Sequence, residues 1–112
     1  MKIAFTAKGA GWDSSMDPRF GRTEYILIYD DVKDEFTSFD NREIENEAHG
    51  AGPKTSQKLF ELGANILITG NGPGGNAATV LGEAGIEIFI RAGNMTVKQA
   101  YEAYKNNQLT KF

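Results

Sequence analysis

Thr69-Gly70-Asn71-Gly72-Pro73-Gly74-Gly75-Asn76 sets four glycines, two asparagines and a proline between an apolar run and an alanine-rich stretch. Glycine leaves no side chain over the backbone, so peptide N–H groups here can face a ligand directly. At the start of a helix they form an anion site, because the first turn carries unpaired donors and a partial positive charge. The same residues also fit a plain strand-to-helix turn with Pro73 near the first helical position, which needs only some of the glycines. A Walker phosphate loop is excluded: it requires lysine and then serine or threonine after the last glycine, whereas Gly75 is followed by Asn76-Ala77.

A second stretch with chemistry in it is Asp17-Pro18-Arg19-Phe20-Gly21-Arg22. Asp17 either caps its own loop or pairs with an arginine. Arg19 and Arg22 are the better anion contacts, since planar guanidinium groups suit oxyanions. The stretch lies within residues 8–23, which show neither helical nor strand period. A connection this long in a small domain reads as a binding loop. Its rings, Trp12 and Phe20, cover the end of the core, close a ligand pocket, or do both. His49, the single histidine, stands among glycines. It is a solvated loop side chain or a direct metal ligand; alone it makes no metal motif. Met16 and Met95 fit core or surface packing better than soft ligation.

Zero cysteines exclude disulfides, thiolate nucleophiles and cysteine-ligated iron–sulfur or zinc sites. Catalytic readings fare poorly. A two-metal nuclease needs carboxylates at the strand ends, but the first strand ends in Thr6-Ala7. No nucleophile-elbow pattern surrounds any serine. A non-catalytic role is the reading.

With 112 residues the chain reads as one domain, 1–112, able to bury roughly two-thirds of its unfolded surface. A formal charge of −3 argues against nucleic-acid backbone as a partner, so any use of positive charge must be local. No apolar run reaches membrane-span length. Met1-Lys2-Ile3-Ala4-Phe5 reads as the start of a strand rather than a secretory signal, which leaves the cytoplasm as the default compartment.

The elements that position these residues follow from pattern. Strands are expected over 2–7, 24–30, 35–41, 65–69 and 86–90, the second and third joined by the short polar Asp31-Val32-Lys33-Asp34. Helices are expected over 53–62 and 77–84, ended by Gly63 and Gly85, and over 97–107 with caps in Asn94 and Thr96. The order is β-β-β-α-β-α-β-α. A hairpin meander makes the second strand antiparallel, and right-handed crossovers keep the later strands parallel to the first. All three helix N-termini then open on one rim, the carboxyl edge where open α/β sheets bind ligands. Loops 8–22, 46–54, 70–76 and 91–96 meet there with Lys8, Arg19, Arg22, His49, Lys54 and Arg91, against Asp13, Asp17 and Glu47. Each helix end adds about 0.3–1 kcal/mol for a nearby anion. The expected ligand is a compact multivalent anion.

The chain resembles the dinitrogenase iron–molybdenum cofactor biosynthesis family, the NifX-like small domains. The resemblance rests on Lys2-Ile3-Ala4-Phe5, on Asp17-Pro18-Arg19-Phe20-Gly21-Arg22 leading into Tyr25-Ile26-Leu27-Ile28-Tyr29, and on Gly63-Ala64-Asn65-Ile66-Leu67-Ile68-Thr69-Gly70. Gly72-Pro73 with the helix after it, and Gly85-Ile86-Glu87-Ile88-Phe89, complete it. It implies a ribonuclease-H-like α/β fold with a mixed five-stranded sheet. It further implies a carrier or assembly role for a metal–sulfur cluster, of iron–molybdenum type or a precursor, and a cofactor-assembly protein as partner. Protein-thiolate ligation does not carry over, for want of cysteine. The cofactor contacts expected are Arg19, Phe20, Arg22, His49, Gly70, Asn71, Gly72, Gly74, Gly75 and Arg91, with His49 as the one metal ligand. The alternative is a structural or regulatory interaction domain that meets a protein through the same rim.

Overall fold

Ile3-Ala4-Phe5-Thr6-Ala7 is buried at every position, which only a strand covered on both faces achieves. The computed structural model, which describes residues 1–42 and 51–112, places it accordingly as a central strand. Strand β1 (Lys2–Ala7) is followed by β2 (Tyr25–Asp30), β3 (Glu35–Asp40), α1 (Ala51–Glu61), β4 (Ile66–Ile68), α2 (Gly75–Glu83), β5 (Glu87–Ile90), α3 (Val97–Lys105) and β6 (Thr110–Lys111). The sheet order is β3-β2-β1-β4-β5-β6. β2 is antiparallel to β1 and β3 to β2, while β1, β4 and β5 run parallel. The meander, the parallel crossovers and three helices among the described residues match expectation.

The strand count does not. Six strands form, not five, because Thr110–Lys111 pairs antiparallel with Phe89 and Ile90. Two polar residues carry no apolar alternation from which a strand could be read. Asn107, at φ 57°, ends α3 and turns the chain back along β5, so docking rather than propensity makes this strand.

Alternation along each strand sorts the core into two layers. Ala4, Ile26, Ile28, Leu67 and Ile88 pack with Leu59 of α1 and with Ala77 and Leu81 of α2. Ile3, Phe5, Leu27, Ile66 and Ile68 pack on the opposite face with Val97 and Ala100 of α3. Trp12 extends that second layer, its ring 4.6 Å from Phe36 and 5.0 Å from Tyr29 between centroids. The first loop is therefore fastened to the domain by its own aromatic residue.

Candidate anion-binding mouth

Three parallel strands end side by side, and the first residues beyond them are Lys8, Thr69 and Arg91. Thr69, beyond the middle strand, turns inward. Its hydroxyl lies 2.7 Å from that of Thr6, which also donates to the carbonyl of Asp17 at 2.8 Å. This buried pair ties β1, β4 and the first loop together beneath the mouth. Above it Gly70 meets Pro18: the N–H of Asn71 donates to the Pro18 carbonyl at 2.8 Å, and a Cβ on Gly70 would lie 2.5 Å from Pro18 Cα. The Arg91 N–H in turn donates to the Gly70 carbonyl at 2.8 Å.

Asp17 is wholly buried and fully used. Its Oδ1 accepts from the backbone N–H and Nε of Arg19, and its Oδ2 from Arg19 Nη2 and the Glu24 N–H, all at 3.0–3.1 Å. Burial pushes its carboxyl up, but the Arg19 side chain and the two backbone donors outweigh burial and hold it below the ordinary carboxylate value. Asp17 thus both caps its loop and pairs with an arginine.

The mouth itself is a depression of about 430 Å³ lined by Lys8, Pro18, Gly70, Asn71, Arg91, Gly93 and Asn94. The lining contains no carboxylate, and neither Lys8 nor Arg91 forms an ion pair among the described residues. Arg91 also sits at φ 70°, a left-handed conformation that L-residues other than asparagine and aspartate seldom adopt.

Of the residues singled out from sequence, Gly70, Asn71 and Arg91 come together here. Gly72, Gly74 and Gly75 lead on from them into α2. Gly72 needs its glycine, with φ at 88° and the Phe112 ring against it. Gly74 and Gly75 are different: both are exposed and an added Cβ would meet nothing within 4 Å. No side chain caps α2. The Gly74→Val/Gly75→Val double variant is accordingly expected to unfold within about 0.5 kcal/mol of the parent in urea, as surface changes do.

Three expectations are corrected. Phe20 does not face the mouth; its ring is buried in the core layer under α1 and α2, where the apolar surroundings hold it. Arg19 is not an uncommitted anion contact, since its Nε and Nη2 both donate to Asp17. The N-terminus of α3 is likewise spent. Val97 and Lys98 donate to the carbonyls of Ser14 and Trp12, and Thr96 with Gln99 forms a capping box. The first turn of α2, by contrast, has no side-chain cap. Arg22 is exposed and has a contact of its own. His49 and Glu47 lie outside the described residues.

Sequence reasoning passed over Pro18, Gly93 and Asn94 as lining and counted Lys8 only among the rim cations. Of the two caps expected, Asn94 and Thr96, it is Thr96 that caps α3. The usable signal was position: a basic residue directly follows the first and the last parallel strand.

Comparison with known proteins follows the same outline. A family model described as dinitrogenase iron-molybdenum cofactor matches residues 1–107. The apo form of the orange protein from Desulfovibrio gigas superposes with a TM-score of 0.93 at 34% identity, covering 99% of this chain and 92% of that one. A NifB-like protein of the DUF35 family from Thermotoga gives a TM-score of 0.84 at 33% identity, covering 98% and 91%. No curated protein matches the chain.

Proposed function

The chain belongs to the dinitrogenase iron–molybdenum cofactor family, and on that premise we propose that it is a non-catalytic carrier or assembly protein that holds an anionic metal–sulfur cofactor at the carboxyl rim of its sheet. The observation that carries the proposal is the combination of exposed first-turn amides at Gly74–Asn76, uncapped by any side chain, with two cations that have no acidic partner at the adjoining mouth. The proposed contacts are Gly70, Asn71, Gly72, Gly74, Gly75, Arg22 and Arg91, with His49 as the one direct ligand. The cargo is an iron–molybdenum type cluster or a precursor of one, and its handover calls for a cofactor-assembly protein as partner. Assignment of the sheet to the ribonuclease-H-like class and a cytoplasmic working place belong to the same proposal.

The donor set suits such a cargo. The chain has no cysteine, and the described residues hold no group of three or more His, Cys, Asp or Glu able to bind a metal ion. Beyond His49, grip then comes from N–H and guanidinium donors to the outer sulfide or oxo atoms of a preformed cluster. Those hydrogen bonds break without exchanging metal ligands, so release to a partner exchanges one metal bond at most.

The test is anaerobic purification with metal analysis, then titration with a synthetic anionic iron–molybdenum–sulfur cluster followed by visible absorbance. Saturable uptake is expected, weakened about tenfold, or 1.4 kcal/mol, in the Gly74→Val/Gly75→Val variant, whose branched side chains cover the amides. His49→Ala reports direct ligation. A folded protein that stays colourless with every cluster would instead favour an interaction domain that meets a protein at the same rim.

A further inference from the structure

We infer that the depression between the ends of β1, β4 and β5 is, in its own right, a site for a free tetrahedral oxyanion of the phosphate and molybdate class. This inference stands on the lining of the depression and does not need the cofactor reading.

Charge comes first. The rim's cations are not equivalent: Arg19 is bound at two points by Asp17, and Arg22 and Lys54 have contacts of their own. Lys8 and Arg91 face one acid-free depression without an ion-pair partner among the described residues. Like charges that line one depression repel, and an anion placed between them relieves that repulsion.

Backbone conformation is the second, independent observation. Arg91 holds φ at 70°, where glycine would rest without strain, and its N–H is fixed on the Gly70 carbonyl. A strained residue of this kind persists when its side chain is wanted in that place. Here the strained residue lines the same depression as Lys8.

Ligand class follows from the donors. Residues bearing a planar fork, an ammonium and two carboxamides line one depression, and a ligand that answers all of them must offer acceptors in several directions. A tetrahedral dianion does this. A planar carboxylate satisfies the fork and leaves the other donors to water.

The experiment is titration of the whole protein with sodium phosphate, sodium molybdate and sodium sulfate at constant ionic strength, read from backbone amide NMR shifts. Saturable shifts centred on Gly70, Asn71 and Gly93 are expected, and the tightest of the three salts identifies the ion the site is sized for. Arg91→Gly is expected to weaken binding by about tenfold or more, the loss of a charge-assisted contact, while unfolding at the same temperature as the parent or higher. Arg91→Lys should recover part of the affinity, and Lys8→Met should lose it without touching the strained residue. Shifts that never saturate, or an Arg91→Gly protein that binds as tightly as the parent, would overturn the inference. Oxyanion binding without cluster uptake removes the carrier proposal alone; cluster uptake without oxyanion binding removes this one alone.

Discussion

Gly70→Ala is expected to destabilise the protein by about 3 kcal/mol, the upper end for forcing an atom into a packed site. The Cβ would stand 2.5 Å from Pro18 Cα and 3.0 Å from the Pro18 carbonyl oxygen, so backbone, not a flexible side-chain end, must move. Movement is resisted from both sides. Pro18 accepts from the Asn71 N–H, Gly70 accepts from the Arg91 N–H, and the neighbouring Asp17 is locked to Thr6 through its own N–H and carbonyl. Thermal unfolding followed by circular dichroism should show the midpoint falling by about 12 °C, on the scale of 4 °C per kcal/mol for a domain near this size. An unchanged midpoint would mean that the Pro18 turn yields freely, and the rigid mouth described above would be wrong.

Asp17→Asn is the other large effect, about 2–3 kcal/mol at neutral pH, since charge-assisted bonds are lost and buried donors are left facing one another. Each carboxylate oxygen accepts two N–H groups, so an amide nitrogen in either position confronts two donors. The deficit should also depend on pH. Asp17 is held below its ordinary value in the folded protein, so its contribution is complete above the unfolded value of about 3.9 and is lost as pH falls through the folded one. Urea unfolding of parent and variant should differ most near neutrality and converge in strong acid. A gap that stays constant across this range would show that the carboxyl takes up its proton equally in both states.

Much of this arrangement was legible beforehand, for reasons that can be named. β1 and β4 are short apolar runs, and Gly63 and Gly85 end helices, so the crossovers and the rim followed from local pattern. The glycine loop was legible only as a set. Gly70 and Gly72 are explained by close approach to Pro18 and Phe112, whereas Gly74 and Gly75 have no such neighbour. Spacing along the chain cannot separate those two kinds of glycine, because the distinction lies in what stands across from each. For the same reason Arg19 looked available: only the fold shows that the carboxylate two residues earlier accepts from its Nε and Nη2 together. β6 was invisible because its pairing partner, not its own composition, makes it a strand.

The walls of the mouth come from residues 8, 18, 70–71 and 91–94, and its first loop is fastened to the opening turn of α3. No early fragment of the chain contains that enclosure. During synthesis the amino-terminal meander can pair as soon as it leaves the ribosome, but the opening takes shape only when the last parallel strand and the helix after it have emerged. A chain that has emerged only as far as α2 therefore lacks the wall that Arg91, Gly93 and Asn94 supply.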